Sequence, residues 1–271
     1  MDRIAGAPPV GLSAKDVTRA DYMLVGHAHF DHIAGAEVIA ANTGARIIGS
    51  PESCRVMTEK GIPESQLLPS SGGERHRLAP GITATVFPSI HSCTWILTDV
   101  PSDERETGHT GLTQDERAAC PGLVQRIMEF AASGSEEGRA VLQHALAATG
   151  SRSDGGPLVY LIETPDMRIF FQDSSGCWSG VFQRIEADVA ILAAAGRANV
   201  DGEPIQGSMA DFIAMEAELL RAKKLFIGHH DNWMPPVTPA GFDMAPVREE
   251  LARRAPNAEL IDVGYMAGTV L

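Results

Sequence analysis

Short apolar runs alternate with helix-spaced patterns along this chain. Tyr22-Met23-Leu24-Val25 is an unbroken apolar run closed by Gly26, which predicts a buried strand. From Ile33 to Ala41 the pattern predicts a helix, stopped by Asn42-Thr43-Gly44 with a glycine just past its last turn. Arg46-Ile47-Ile48-Gly49 predicts the next strand. Ser50-Pro51-Glu52 then opens a helix, with serine as N-cap and proline at the first helical position, where its missing N–H is not needed. Ile82 to Phe87 reads Ile-Thr-Ala-Thr-Val-Phe, a strand pattern that leads to His91.

The stretch 99–156 differs in character. It is polar, rich in Glu, Gly, Ser and Ala, and helical in pattern, with a capping box at Thr113-Gln114-Asp115-Glu116 and a second helix from Ser135 to Thr149. It predicts a helical insertion between core strands, either a surface elaboration or a cap over the functional site. Strand signals then return. Leu158 to Glu163 and Arg168 to Phe171 predict a hairpin across Thr164-Pro165-Asp166-Met167, with Asp173 just beyond it. Val189 to Leu192 is a strand. Met209 to Ala222 is an amphipathic helix capped by Ser208, and Leu225-Phe226-Ile227-Gly228 is a strand delivering His229 and His230. A last helix is expected over Met244 to Arg254, with short strands near Leu260 and Thr269. Strands alternating with helices place the chain in the α/β class, as a single domain over residues 1–271.

Composition narrows the function classes. The hydrophobic fraction is 44% and the charged fraction 21%, ordinary globular usage that excludes a fibre or a disordered chain. No apolar run approaches the roughly 18 residues of a membrane span, and the N-terminus lacks a signal-peptide pattern, so a soluble, cytoplasmic protein with no membrane partner is expected. A net charge of −13 repels phosphate backbones and argues against a nucleic-acid partner. Cys54, Cys93, Cys120 and Cys177 form no C-x-x-C pair, which speaks against a zinc ribbon or thioredoxin-type site and for free thiols.

The chemistry concentrates in residues 27 to 32, His-Ala-His-Phe-Asp-His. On an extended segment, residues i and i+2 point the same way, so His27 and His29 can grip one ion. Asp31 and His32 fall where the chain turns into the following helix and can hold a second. Imidazole and carboxylate with no thiolate suit Zn, Fe or Mn.

This HxHxDH pattern after an apolar strand resembles the metallo-β-lactamase superfamily, whose later ligands recur here in order: His91 in Pro88-Ser89-Ile90-His91, Asp173 in Phe170-Phe171-Gln172-Asp173, and a histidine pair in Gly228-His229-His230-Asp231. The resemblance implies a four-layer αββα sandwich with metals at the edge of the two sheets. It implies one site of His27, His29 and His91, a second of Asp31, His32 and His229, and Asp173 as a bridge between the ions. His230 is the alternative to His229 as last ligand; otherwise it is a candidate for substrate contact. The short motifs Ala-His-Phe-Asp-His and Gly-His-His-Asp-Asn-Trp are similar to the branch containing the ascorbate-6-phosphate lactonase. Only 26 residues precede His27, where the family places about two further strand pairs. The first sheet is therefore expected to be incomplete at its N-terminus, through a truncated start or a smaller sheet. A second copy of the chain is expected to cover the edge this leaves, as in a homo-oligomer.

The resemblance implies a binuclear metal-dependent hydrolase. Its two divalent ions, zinc first and manganese or iron as alternatives, would carry a bridging hydroxide that cleaves a small ester, lactone, amide, β-lactam or phosphodiester. Asp31 would orient the nucleophile and His230 the substrate. A di-iron redox or sensing protein, and a non-catalytic protein that keeps the metals for stability, are the competing readings.

Overall fold

A computed structural model describes residues 7–95, 111–120, 128–232, 234–235, 238, 241–264, 267 and 269. Its first sheet is built from β1 (Tyr22–Leu24), β2 (Arg46–Gly49) and β3 (Leu67–Pro69), all parallel and in that order. The second sheet begins with β4 (Arg75–Ala79) and β5 (Ile82–Pro88), continues through β6 (Leu158–Glu163) and β7 (Arg168–Phe171), and ends in β9, β12 and β13. A two-residue strand β8 (Gly176–Cys177) lies outside it. Beyond β9 (Val189–Ala193), the short strands β10 (Asn199–Val200) and β11 (Glu203–Pro204) join β8 in a small third sheet. With β12 (Lys224–Gly228) and β13 (Glu259–Leu260), the second sheet runs β13-β12-β9-β7-β6-β5-β4. It is antiparallel from β4 to β7 and parallel from β7 to β13.

The helices cover the outer faces. α1 (Phe30–Ile33) and α2 (Ala36–Thr43) follow β1, and α3 (Pro51–Glu59) follows β2. α4 (Gln114–Ala119) and α5 (Glu136–Ala147) belong to the expected insertion. α6 (Ser179–Phe182), α7 (Met209–Leu220) and α8 (Ala245–Arg254) come later. Three buried clusters hold the layers together. Val25, Ile33, Ala40, Ile47, Val56 and Met57 join α1, α2 and α3 to the first sheet. Ile48, Val86, Leu158 and Tyr160 fill the space between the sheets, with Leu24, Leu68 and Phe171 against them. Phe170, Leu192, Phe212, Ile213, Leu225, Val247 and Leu251 join the second sheet to α7 and α8. Apolar burial on this scale is the main favourable term of folding, and it gives helix, sheet, sheet, helix in succession, the expected αββα sandwich.

Several boundaries depart from expectation for local reasons. The single helix from Ile33 to Ala41 is two, because Gly35 adopts φ +93°, a left-handed conformation that breaks the helical ladder. Gly35 N also donates to Glu37 Oε2 at 2.9 Å, re-starting the chain as α2. Ser50, Thr113 and Ser208 accept backbone N–H groups as N-caps, the last two in capping boxes. The strand expected near Thr269 falls largely outside the described residues. His109 and part of the insertion lie outside the described residues. The four cysteines are free. Among the described residues no helix is long and apolar enough to cross a membrane.

Candidate metal centre

The HxHxDH segment is held as a rigid extended piece by backbone pairing on both sides. Val25 N donates to Ile48 O at 2.9 Å, and Leu158 N donates to Gly26 O at 2.7 Å. Ala28 N donates to Asp154 O at 2.9 Å and its carbonyl accepts Ser151 N at 2.8 Å. The buried Tyr160 hydroxyl donates to Val25 O at 2.7 Å. His29 then takes the N-cap position of α1, so Asp31 and His32 fall on the first helical turn. The extended stretch and the turn aim the two pairs of side chains in different directions.

Three more loops bring the remaining groups. Asn199 Nδ2 donates to His91 O at 2.8 Å, tying the His91 loop to β10, and Ser92 N donates to Ser174 Oγ at 3.2 Å, tying it to the loop that carries Asp173. Gln172 anchors that loop: its Nε2 donates to Gly176 O at 2.9 Å and to Glu216 Oε1 at 2.8 Å. Glu216 is fully buried on α7. β12 ends at Gly228, and His229 follows with φ +56°, a left-handed conformation costly for a residue with a side chain. That turn sends the His229 ring onto His32, stacked at 4.6 Å with planes 10° apart.

The sequence-nominated residues converge. His27, His29 and His91 offer ligand atoms all within 4.8 Å of one another, and so do His27, His32 and Asp173, and Asp31, His32 and His229. His29 Nδ1 and His91 Nε2 lie 3.1 Å apart. Asp31 Oδ2 is 3.3 Å from His32 Nε2 and 3.2 Å from His229 Nε2. Asp173 Oδ1 is 3.1 Å from His27 Nδ1, and its Oδ2 is 3.2 Å from His32 Nδ1. His230 is not brought into these groups; its ring packs edge-on against Phe242, with centroids 5.9 Å apart. The insertion reaches the motif too. His144 on α5 stands edge-on to Phe30 at 6.4 Å, and Thr149 Oγ1 donates to Glu37 Oε1 at 2.7 Å.

The electrostatics suit cation binding. Burial, reinforced by the neighbouring His27, holds His29 down to about 4, and burial with His27 and His29 holds His91 well below the usual histidine range. Both rings are therefore neutral, with lone pairs to offer. Burial opposes charge on His32, but the Asp31 and Asp173 carboxylates outweigh it and raise this histidine to about 10. The carboxylates in turn stay ionised against their own burial: His32 and His229 pull Asp31 far down, and His27 and His32 do the same for Asp173. His27 is fully buried, and its Nε2 has no hydrogen-bond partner among the described residues. A buried ring nitrogen left unpaired is costly, and a cation in its place is the usual resolution at such a donor set.

Sequence reasoning missed the groups that hold the ligands: Gly26, Gln172, Asn199, Ser174 and Glu216. Gly26 was readable only as the end of a strand. In the fold, a Cβ there would stand 2.1 Å from Asp173 Oδ1, so glycine is what lets the carboxylate seat against the motif. Glu216, a charged residue on the apolar face of a helical pattern, was the one available signal.

Comparison with known proteins agrees with the fold. Residues 3–118 match the Beta-lactamase superfamily domain. A metal-dependent hydrolase from Pyrobaculum islandicum is 32% identical over 113 residues, 40% of this chain and 50% of that protein. The chain spans about half the length of this curated relative. Igni18, a novel metallo hydrolase from Ignicoccus hospitalis, superposes with a TM-score of 0.54 at 18% identity, over 91% of this chain and 77% of the other. CmlA, a diiron beta-hydroxylase from Streptomyces venezuelae, superposes with a TM-score of 0.52 at 12% identity, over 92% of this chain and 45% of the other. Residues 3–118 are thus similar to the Beta-lactamase superfamily domain, and the fold is of the metallo-β-lactamase type. The resemblance to the ascorbate-6-phosphate lactonase branch rests on the short motifs alone.

Proposed function

We propose that this protein is a metal-dependent hydrolase of small molecules. His27, His29 and His91 would hold one divalent ion and Asp31, His32 and His229 a second, with Asp173 lying against a ligand of each set. The observation that carries this reading is the convergence of two three-residue ligand sets and Asp173, from four separate segments, around a buried His27 Nε2 that has no hydrogen-bond partner among the described residues. Nitrogen and carboxylate donors without thiolate favour zinc, with manganese or iron as alternatives. Ions so held supply Lewis acidity toward a substrate oxygen and acidify a water.

The chain's own groups supply the rest. Asp31, at the start of α1, faces the second ligand set and is the candidate to orient the attacking water. His230, at the rim beside Phe242, is the candidate for substrate contact. α5 and residues 149–154, packed along the motif, form a wall of the site and limit it to small substrates. The chain's negative charge disfavours polyanionic ones. CmlA's fold accommodates a di-iron centre, so iron with oxygen uptake and no hydrolysis is the outcome that would favour a redox reading. The test is hydrolysis of a lactone, an ester, a β-lactam and a phosphodiester with zinc and with manganese, before and after chelation. Metal-dependent turnover of one class is expected. Full metal loading with no turnover of any would refute the hydrolase reading.

A further inference from the structure

Glu216 is a fully buried carboxyl that the proposed chemistry leaves unused. Its neighbours on α7, Phe212, Ile213, Ala217 and Leu220, are buried and apolar. A carboxyl in such a place costs free energy that a leucine or methionine would not. Only one of its oxygens is bonded. Oε1 accepts from Gln172 Nε2 at 2.8 Å, whereas Oε2 has no hydrogen-bond partner among the described residues. The bond to Gln172 is what distinguishes this residue from an apolar one. Both N–H groups of Gln172 Nε2 face acceptors, Glu216 Oε1 and, at 2.9 Å, Gly176 O, which fixes the way the amide points. Gly176 O is a junction, because it also accepts from Ser89 Oγ at 2.9 Å. The two segments touch there: a Cβ on Gly176 would stand 2.2 Å from Ile90 O. Trp178 Nε1 donates to Ser89 O at 3.2 Å and fastens the same contact again. Ser89 and Ile90 lead into His91, and Gln172 leads into Asp173.

We infer that Glu216 is a positioning residue: acting through Gln172 and the Gly176 carbonyl, it sets how the Asp173 loop and the His91 loop stand against each other, and with that the geometry of the proposed ion sites. This rests on the metal-centre reading above. The path of hydrogen bonds runs from an outer helix, through the Asp173 loop, to the loop that carries His91. Removing its first acceptor leaves a buried Gln172 N–H without a partner, so the amide must turn or the loop must shift. Either movement loosens Gly176 O, on which the Ser89 hydroxyl also depends. Burial lifts the Glu216 carboxyl well above the usual carboxylate range, so the neutral form is the acceptor. Glutamine can therefore stand in for it, and methionine, of similar length but with no comparable acceptor, cannot.

The test compares the full chain as wild type, Glu216→Met, Glu216→Gln, Gln172→Met, the double variant Glu216→Met with Gln172→Met, and Phe182→Ala, a fully buried apolar site that serves as the purely structural control. Zinc affinity is measured by competition with a chromophoric chelator, and the visible absorption of the cobalt-substituted protein reports the geometry around the ions, both at a temperature where each variant is folded. Glu216→Met and Gln172→Met should each weaken zinc binding about 10-fold, the low end for groups that orient ligands, and shift the cobalt band. The double variant should be no weaker than Gln172→Met, because the two residues act in series. Glu216→Gln should match wild type in both readouts, and so should Phe182→Ala. Wild-type zinc affinity and cobalt spectrum in Glu216→Met would overturn the positioning role, and so would equal losses in Phe182→Ala or additive losses in the double variant. Should Glu216→Met not fold, Ser89→Ala opens the junction from its other end and must weaken zinc binding; an unchanged affinity there would overturn the role as well. Wild-type protein that takes up no zinc would instead overturn the metal-centre reading, and the positioning role with it.

Discussion

Replacing Gly26 by alanine adds a single methyl group at the most crowded point of the site. Its Cβ would lie 2.1 Å from Asp173 Oδ1, 2.2 Å from Cγ and 2.4 Å from Oδ2. Ordinary contact begins near 3.4 Å, so the carboxylate must retreat by roughly an ångström or more. Its bonds to His27 and His32, 3.1 and 3.2 Å long, would then be lost. Hydrogen bonds to a charged group contribute about 1.5–3 kcal/mol each, so the pair is worth about 3–6 kcal/mol. Glycine 26 does not adopt positive φ, so alanine recovers about 0.4–1 kcal/mol by restricting the unfolded chain. A net loss of about 2–5 kcal/mol is expected in urea unfolding of metal-free protein at neutral pH. Zinc affinity should fall about 10- to 100-fold as two ligand rings lose their orientation. Equal or higher stability in Gly26→Ala, with unaltered zinc affinity, would mean that Asp173 does not occupy the place argued for it.

Other perturbations separate the packing from the site. Burial lifts the Glu216 carboxyl well above the ordinary range, although the Gln172 amide bond works the other way. The native state therefore holds a proton that the unfolded state releases. The sign follows: this contribution is fully present below about pH 4.5 and is lost as pH rises toward the raised value. Relative to wild type, Glu216→Gln should gain up to about 1.4 kcal/mol per pH unit across that window in denaturant midpoints, and parallel curves would contradict it. Phe182 is fully buried and meets Phe170 edge-on at 5.1 Å, so Phe182→Ala should cost about 3–5 kcal/mol in the same assay, with zinc stoichiometry intact. Tyr160→Phe removes the hydroxyl between Val25 O and Ile48 O and should cost about 1–3 kcal/mol; a neutral effect would show that these carbonyls do not need it.

Much of the site could be read from the sequence because the first ligands sit together on one turn of chain. The spacing of His27 and His29 followed from an extended segment, and Asp31 and His32 from the start of a helix, as the structure has them. His91, Asp173 and the final pair are distant in sequence, and only the resemblance to the family's order of motifs joins them to the first cluster. The resemblance, in which the final histidine follows an apolar strand, leaves His230 as the alternative to His229. The structure separates them: the strand stops at Gly228, and a left-handed turn at His229 swings its ring onto His32. No periodicity signals such a turn. The same limit explains the strands that pattern reading passed over. Arg75-His76-Arg77 in β4 carries charge along an edge strand. β8, β10 and β11 are two residues long and exist because the segment after Asp173 pairs with the loop 199–204. Gly35 split an expected helix for a backbone reason that a side-chain pattern does not contain.

Zinc bound per chain in His91→Ala and in His230→Ala, compared with wild type, addresses the central claim most directly. His91 belongs to one ligand set only, and His230 belongs to none. Two ions in wild type, one in His91→Ala and two in His230→Ala are predicted. No zinc in wild type, or an unchanged two in His91→Ala, would contradict the proposed centre.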